Sequence, residues 1–194
     1  MYLPFIAFVT LALLTGCTAI PYDKPQDQLS IQRDLSVKPE EIVTITQVDW
    51  CSYAYGELTP CHPQEALAIQ TRTKLILASY DKPHYKKILG MQTREVTCAH
   101  LQTPIDTAPN LFLFTQAYAV QIWPVDPSFK PDIAKKKLIV DTMVQSGKRT
   151  LVGTENDYVR DSGQVRSGMA IIPNTAIPYS TRTPILHLIN PCSP

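Results

Sequence analysis

Apolar and polar positions alternate over much of this chain, and the repeat is mostly two, that of an extended strand. Residues 42–48, Ile-Val-Thr-Ile-Thr-Gln-Val, are rich in β-branched side chains and predict a short strand. Farther on, Leu67, Ile69, Thr71, Thr73, Leu75 and Leu77 alternate, although Pro63-Gln64-Glu65-Ala66 also suits a helix start. The alternation favours one strand over 67–79. Residues 93–101 and 111–123 read as further strands, the second apolar on both faces and so central in a sheet. A helix is expected from Pro131, with Ile133, Lys137, Val140 and Val144 on one stripe. Residues 138–144, ahead of Ser146-Gly147, fit a hairpin arm equally well. Three short strands, 150–152, 169–172 and 185–189, follow between loops that contain Pro and Ser. The pattern predicts a β-rich single domain, a β-sandwich or an α+β fold, with one or two short helices.

Composition sharpens this in two places. The 194 residues hold 17 prolines against 7 glycines, which favours short elements and extended connections, since proline fixes φ and removes a donor. A net charge of +1 supplies no general field for nucleic acid, and no nucleic-acid partner is expected. Residues 18–39 are polar, carry Pro21, Pro25 and Pro39, and keep no sustained period. They read as an extended tether. Leu29, Ile31, Leu35 and Val37 leave open a docking peptide that orders on a partner.

The first segment carries a stronger signal. Leu3 to Leu14 is uncharged and has the length of a signal-peptide apolar region, short of the roughly 20 residues that span a bilayer. It ends in Leu14-Thr15-Gly16-Cys17, which resembles the lipobox of bacterial lipoprotein signal peptides. The resemblance covers the first 17 residues. It implies cleavage before Cys17, a thioether-linked diacylglycerol on that cysteine and an N-terminal acyl chain. Several chains together meet the requirement for stable anchoring. Thr18 stands where an Asp would favour retention in the inner membrane, so the resemblance implies the outer membrane. The expected organisation is a signal peptide over 1–16, a lipidated Cys17 with its tether over 17–39, and a periplasmic domain over 40–194.

With Cys17 assigned to lipid, four cysteines remain: Cys51, Cys61, Cys98 and Cys192. An even set in an exported domain predicts two disulfides, because the periplasm is kept oxidising. Three pairings are possible, and locality favours Cys51–Cys61 with Cys98–Cys192. The alternative is zinc, through Cys61-His62 and Cys98-Ala99-His100, but neither spacing matches a zinc knuckle. No metal or cofactor is expected.

Catalytic motifs are sparse. Neither a G-x-S-x-G elbow nor an S-x-x-K occurs. Asp161-Ser162-Gly163 reads as turn chemistry, and His187 lies in the alternating stretch Pro-Ile-Leu-His-Leu-Ile-Asn. A triad would need Ser162, Ser146 or Ser180 brought to a His backed by an acid. Ser146-Gly147-Lys148-Arg149 is the end of a phosphate loop only in part, since position 142 is Thr142 and not Gly. Glu155, Asn156, Asp157 and Asp161 could offer oxygens to calcium but lack the loop spacing. Lys135-Lys136-Lys137 reads as the solvent face of a helix. Trp50, Tyr53 and Tyr55 cluster around Cys51, residue types common at binding surfaces, and form the candidate partner surface.

Together these readings predict no enzyme. The expectation is an outer-membrane lipoprotein acting as an accessory or scaffold subunit of an envelope assembly, such as a secretion or conjugation apparatus. Protein partners in the envelope are expected, and no small-molecule ligand. The rival is a ligand-binding or enzyme-inhibitor lipoprotein that uses the 51–61 loop.

Overall fold

The computed structural model describes residues 19–103, 110–144 and 148–192. The lipobox through Cys17, with Ser146 and Gly147, lies outside the described residues. In chain order the elements are α1 (Pro25–Leu35), β1 (Ile42–Ala54), β2 (Gly56–Glu57), β3 (Gln64–Thr71), β4 (Lys74–Asp81) and β5 (His84–Gln92). Then come β6 (Cys98–Gln102), β7 (Leu111–Phe114), β8 (Tyr118–Val125), α2 (Ile133–Met143), β9 (Arg149–Gly153), β10 (Val159–Ile171) and β11 (Pro178–Leu188). Eight strands make one sheet in the order β5-β4-β3-β1-β8-β7-β6-β9. Its pairs are antiparallel except for β6 with β9. A smaller sheet, β10-β11-β2, stands beside it. Among the described residues the chain is thus β-rich, with two short helices.

Alternation along the strands gives the large sheet two apolar faces. One packs on α2, where Val48, Leu77, Leu113 and Ile122 meet Ile139, Val140 and Met143. The other carries two smaller cores. At one end Ile31 of α1 sits among Leu67, Ile69, Ile76 and Tyr85. At the opposite end Phe112, Phe114, Tyr158 and Leu188 pack together beside Cys98.

Two expected strands are hairpins. Residues 67–79 divide into β3 and β4, and 111–123 into β7 and β8. In both, a threonine makes the reversal. The Thr71 hydroxyl accepts the N–H of Lys74 at 3.1 Å and of Thr73 at 3.3 Å. The Thr115 hydroxyl accepts the N–H of Tyr118 at 3.0 Å and of Ala117 at 3.2 Å. Such side-chain turns reverse a chain without Gly or Pro. Because threonine also belongs to the strand pattern, the period runs through the turn unbroken.

The helix α2 falls where the sequence predicts it, with Asp132 accepting the Lys135 N–H at 2.9 Å as its cap. Its buried face differs from the expected stripe: Lys136, Ile139, Val140 and Met143 face inward. The lysine triplet is therefore a solvent face only at Lys137. Lys136 is buried, Lys135 donates to the Thr44 hydroxyl at 2.9 Å, and Lys137 pairs with Asp141 at 2.9 Å.

The expected tether departs most from its prediction, because residues 25–35 are helical. Pro25 occupies the first turn, where its absent N–H costs nothing, and the Asp27 carboxylate accepts the Lys24 N–H at 3.3 Å. Ser36 ends the helix in the left-handed conformation at φ 52°. Fully buried Ile31 anchors it to the sheet, and the Tyr85 hydroxyl donates to the Pro21 carbonyl. Thus Ile31, Leu35 and Val37 dock this segment on its own domain, while Leu29 stays exposed.

Asp34, through its bond to the Tyr85 N–H, is expected to make that docking pH-dependent. Its carboxylate accepts from Arg33 at 2.9 Å and from the Tyr85 N–H at 3.0 Å. These bonds, the Arg33 one foremost, hold its pKa below the ordinary carboxylate value. A lowered folded pKa contributes stability that is present above the unfolded value of about 4 and is lost as pH falls through the folded value. The Ile31 methyl resonances in NMR should therefore move toward unpacked shifts only on acidification below about pH 4. In Asp34→Asn that titration should vanish; an unchanged titration in the variant contradicts the assignment.

Candidate functional site

The end of the sheet farthest from α1 is built from aromatic side chains. Phe112 and Phe114, two apart on β7, share a face and lie 5.8 Å apart. Tyr158, between a short 3-10 turn at 155–157 and β10, sits 4.6 Å from Phe112 and 5.8 Å from Phe114. Burial raises its hydroxyl pKa to about 12. His100 of β6 meets the Tyr158 ring edge-on at 4.8 Å and is fully buried. Its Nε2 lies 2.9 Å from Oδ2 of Asp157, to which an Nε2–H donates, while Nδ1 is enclosed without a hydrogen-bond partner. An imidazole closed on both sides fastens the 155–157 turn to β6; it does not present a base to a ligand.

Both disulfides take the pairing favoured by locality. Cys51 joins Cys61 with Cα atoms 6.1 Å apart, and Cys98 joins Cys192 at 6.2 Å. The second ties the chain end after β11 to β6. Beside it Asn190 donates to the Thr115 carbonyl at 2.8 Å.

The three candidate aromatics do not share one surface. Tyr53 of β1 and Tyr55, in the bend that follows it, pack against the aromatic cluster, but Trp50, of opposite parity to Tyr53, is 8% exposed in the α2 core. The Tyr53 hydroxyl donates to Gln121 Oε1 at 2.9 Å, and that of Tyr55 to the Thr115 carbonyl at 2.7 Å. Burial raises the Tyr55 pKa to about 12 against that hydrogen bond. Tyr53, Phe112, Gln121 and Tyr158 border a cavity of about 150 Å³.

The larger exposed feature is the ribbon of β10 and β11, whose strands are longer than the 169–172 and 185–189 that the sequence predicts. Its root is fastened by Tyr158 and Leu188 in the aromatic cluster. Leu58 also donates its N–H to the Leu186 carbonyl at 2.7 Å, and Arg166 pairs with Glu57. Asp161-Ser162-Gly163 forms a bulge, with the Asp161 carboxylate accepting the Gly163 N–H at 2.9 Å. Gly163 takes φ +74°, the left-handed region glycine favours. At the tip the Thr175 hydroxyl accepts the Ile177 N–H at 3.2 Å, a third threonine turn. Beyond the bulge the ribbon leaves the core: Met169 is 73% exposed, Ile171 64% and Val165 55%. Directly opposed residues of an antiparallel pair share a face, so Val165, Met169 and Ile171 lie with Pro178 and Pro184 on one side. From 162 to 186 the only charged residues are Arg166 and Arg182. The signal was present in the sequence as an uncharged stretch, 169–179, bracketed by two arginines.

The remaining candidates stand apart from one another. Among the described residues, Ser162 accepts the Gln164 N–H within the bulge, and Ser180 is exposed on the ribbon. His187 lies opposite Arg160. Lys148 donates to the Thr93 carbonyl, and its partial burial lowers its pKa. Glu155, Asn156 and Asp157 form the 3-10 turn. Among the described residues there is no group of three His, Cys, Asp or Glu able to hold a metal, and no helix long and apolar enough to cross a membrane.

No family model matches the chain, and no curated protein matches it. Among solved structures it is similar to Vav1 bound to an allosteric inhibitor of its GEF activity, at 7% identity and TM-score 0.42. That match covers 79% of this chain and 42% of the Vav1 chain, so this chain spans less than half of that structure. The hSac2 domain of the human phosphoinositide phosphatase Sac2 is similar at 11% identity and TM-score 0.33, covering 68% of this chain and 90% of that one. Neither likeness bears on function.

Proposed function

We propose that this chain is an outer-membrane lipoprotein, anchored through Cys17, that serves as a non-catalytic scaffold subunit of an envelope assembly such as a secretion or conjugation apparatus. The observation that carries the reading is the β10–β11 ribbon. A strand pair that stands clear of the core with Val165, Met169 and Ile171 exposed holds apolar surface that folding leaves uncovered. Its root, by contrast, is fixed by an aromatic cluster and a disulfide. A rigid base bearing an uncovered apolar arm suits a part that grips a larger body. Two disulfides in one domain support an oxidising compartment, and the lipobox supports the anchor.

Chemical crosslinking of intact cells, followed by detergent extraction of the envelope, tests this reading. The full chain should migrate in species containing other envelope proteins in fixed ratio. The Met169→Lys/Ile171→Lys variant should lose them while staying in the membrane fraction, and Cys17→Ser should leave that fraction. Recovery of the chain alone, or only with copies of itself, overturns the assembly role.

A further inference from the structure

The two long edges of the ribbon are not alike. At the tip the Ile172 N–H donates to the Ile177 carbonyl at 3.1 Å, so 172 and 177 form a hydrogen-bonded pair. Antiparallel strands alternate such pairs with pairs whose backbone groups point outward. The outward-pointing pairs are therefore 171 with 178, 169 with 180, 167 with 182 and 165 with 184. The bond from Leu58 to the Leu186 carbonyl obeys the same parity, since it reaches β11 from outside.

On β11 the outward positions are largely closed. Pro178 and Pro184 have no N–H to offer, and Leu186 and Leu188 face Leu58 and β2. On β10 the outward groups of Val165, Ser167, Met169 and Ile171 border no strand among the described residues, and this stretch contains no Pro or Lys. Proteins usually blunt such edges, as β11 is blunted here. An edge left open along seven residues, beside a neighbour that is closed, is a template for one more strand.

We propose that a second copy of this chain occupies that edge, β10 against β10 in antiparallel register about a twofold axis at Gly168. This rests on the reading of the ribbon as a contact element. Axes at 167 and 169 also set outward-pointing residues against one another, but each pairs only three of the four outward positions, whereas the axis at Gly168 pairs all four. Positions whose numbers sum to 336 face each other, which places outward-pointing residues opposite outward-pointing residues: Val165 against Ile171 and Ser167 against Met169. Each such pair exchanges two hydrogen bonds, about eight in all. Arg166, the sole charge on this edge, lies opposite Ala170. Moving the axis to residue 166 sets Arg166 against its own copy, which costs like-charge repulsion. Moving it to 170 brings Ile171 against Met169 but leaves Val165 beyond the paired strand. With the axis at Gly168, the two ribbons join as one four-stranded sheet. Their apolar sides, with Val165, Met169, Ile171, Pro178 and Pro184 from each copy, then become continuous. The dimer thereby builds the broad apolar face that an assembly partner would cover.

Gly168→Cys tests the register. At the axis two copies of residue 168 face each other in a non-hydrogen-bonded pair with Cα atoms about 4.5 Å apart, within disulfide reach. A Cβ at 168 meets only the Thr181 hydroxyl at 3.0 Å, on a ribbon clear of the core, so the fold tolerates it. Under mild oxidation of membranes, most of the Gly168→Cys full chain should run as a reducible dimer on non-reducing gels. Ala170→Cys should run as a monomer on the same gels, since two copies of 170 are four positions out of register, about 13 Å apart and beyond disulfide reach. Sedimentation of the unmodified full chain in density-matched detergent should give a dimer. Ser167→Pro, which removes one outward donor and keeps the β10–β11 bonds, should give a monomer. A monomeric unmodified chain overturns the proposal, and so does crosslinking of Ala170→Cys equal to that of Gly168→Cys. A β10 edge found crosslinked to a different protein overturns it too. The mass of the purified chain reads the dimer, whereas envelope crosslinking reads the assembly, so either can fail without the other.

Discussion

Removing the Cys98–Cys192 bond by the double substitution Cys98→Ser/Cys192→Ser is expected to lower unfolding stability by about 4–5 kcal/mol. The bond closes a sequence separation of 94 residues, and the chain-entropy gain grows with the logarithm of the loop. Replacing both cysteines avoids leaving a reactive thiol. The same reasoning gives about 3 kcal/mol for Cys51→Ser/Cys61→Ser, whose separation is 10. Denaturant titration of the two variants beside the parent reads the ranking directly. The Cys98–Cys192 variant should also become sensitive to proteolysis between 159 and 188, because the chain end that follows β11 is no longer tied to β6. A larger loss for the short loop would show that strain, not loop closure, governs these bonds.

Phe114→Ala should cost about 3–5 kcal/mol, the range for emptying a buried aromatic site. Phe114 is fully buried, and its ring packs against both Phe112 and Tyr158. The neighbours cannot collapse into the space without releasing Tyr158, whose burial holds the start of β10. Unfolding followed by Trp fluorescence should show the loss, with Phe114→Leu losing less than Phe114→Ala. Met169→Ala supplies the contrast: at 73% exposed it should change stability by no more than about 0.5 kcal/mol. A pair of equal effects would mean that Met169 is covered within the domain and that the ribbon is not a free arm.

Much of the fold was legible because its signals are local. β-branched alternation marked β1, and the Pro131-Asp132 start marked α2, where the Asp132 cap fixes the first turn. An even cysteine count with one close pair led to the pairing that the structure shows. Other features were illegible for identifiable reasons. Thr71, Thr115 and Thr175 reverse the chain with a hydroxyl, and a hydroxyl on a β-branched residue looks like strand. On α2, Lys136 breaks the apolar stripe that a sequence reader would follow, although its position faces inward. Trp50 and Tyr53 stand three apart on one strand, so parity sends them to opposite faces; proximity in sequence had suggested a shared surface.

The candidate site shows the same division. Asp161-Ser162-Gly163 reads as a turn and 169–172 and 185–189 read as short strands, yet nothing local told that 159–171 and 178–188 pair with each other and then leave the core. The sequence by itself determined strand content, the second helix, the two disulfides and the absence of any strong overall charge. Those properties follow from side-chain chemistry and spacing over a few residues. Only the tertiary structure decided that the segment 25–35 folds back as a helix on its own sheet and that the two arms form a projecting ribbon. Only it showed which edge of that ribbon is closed by proline. Each of these depends on which distant backbone lies alongside, and a period of two along the chain carries no information about its neighbour.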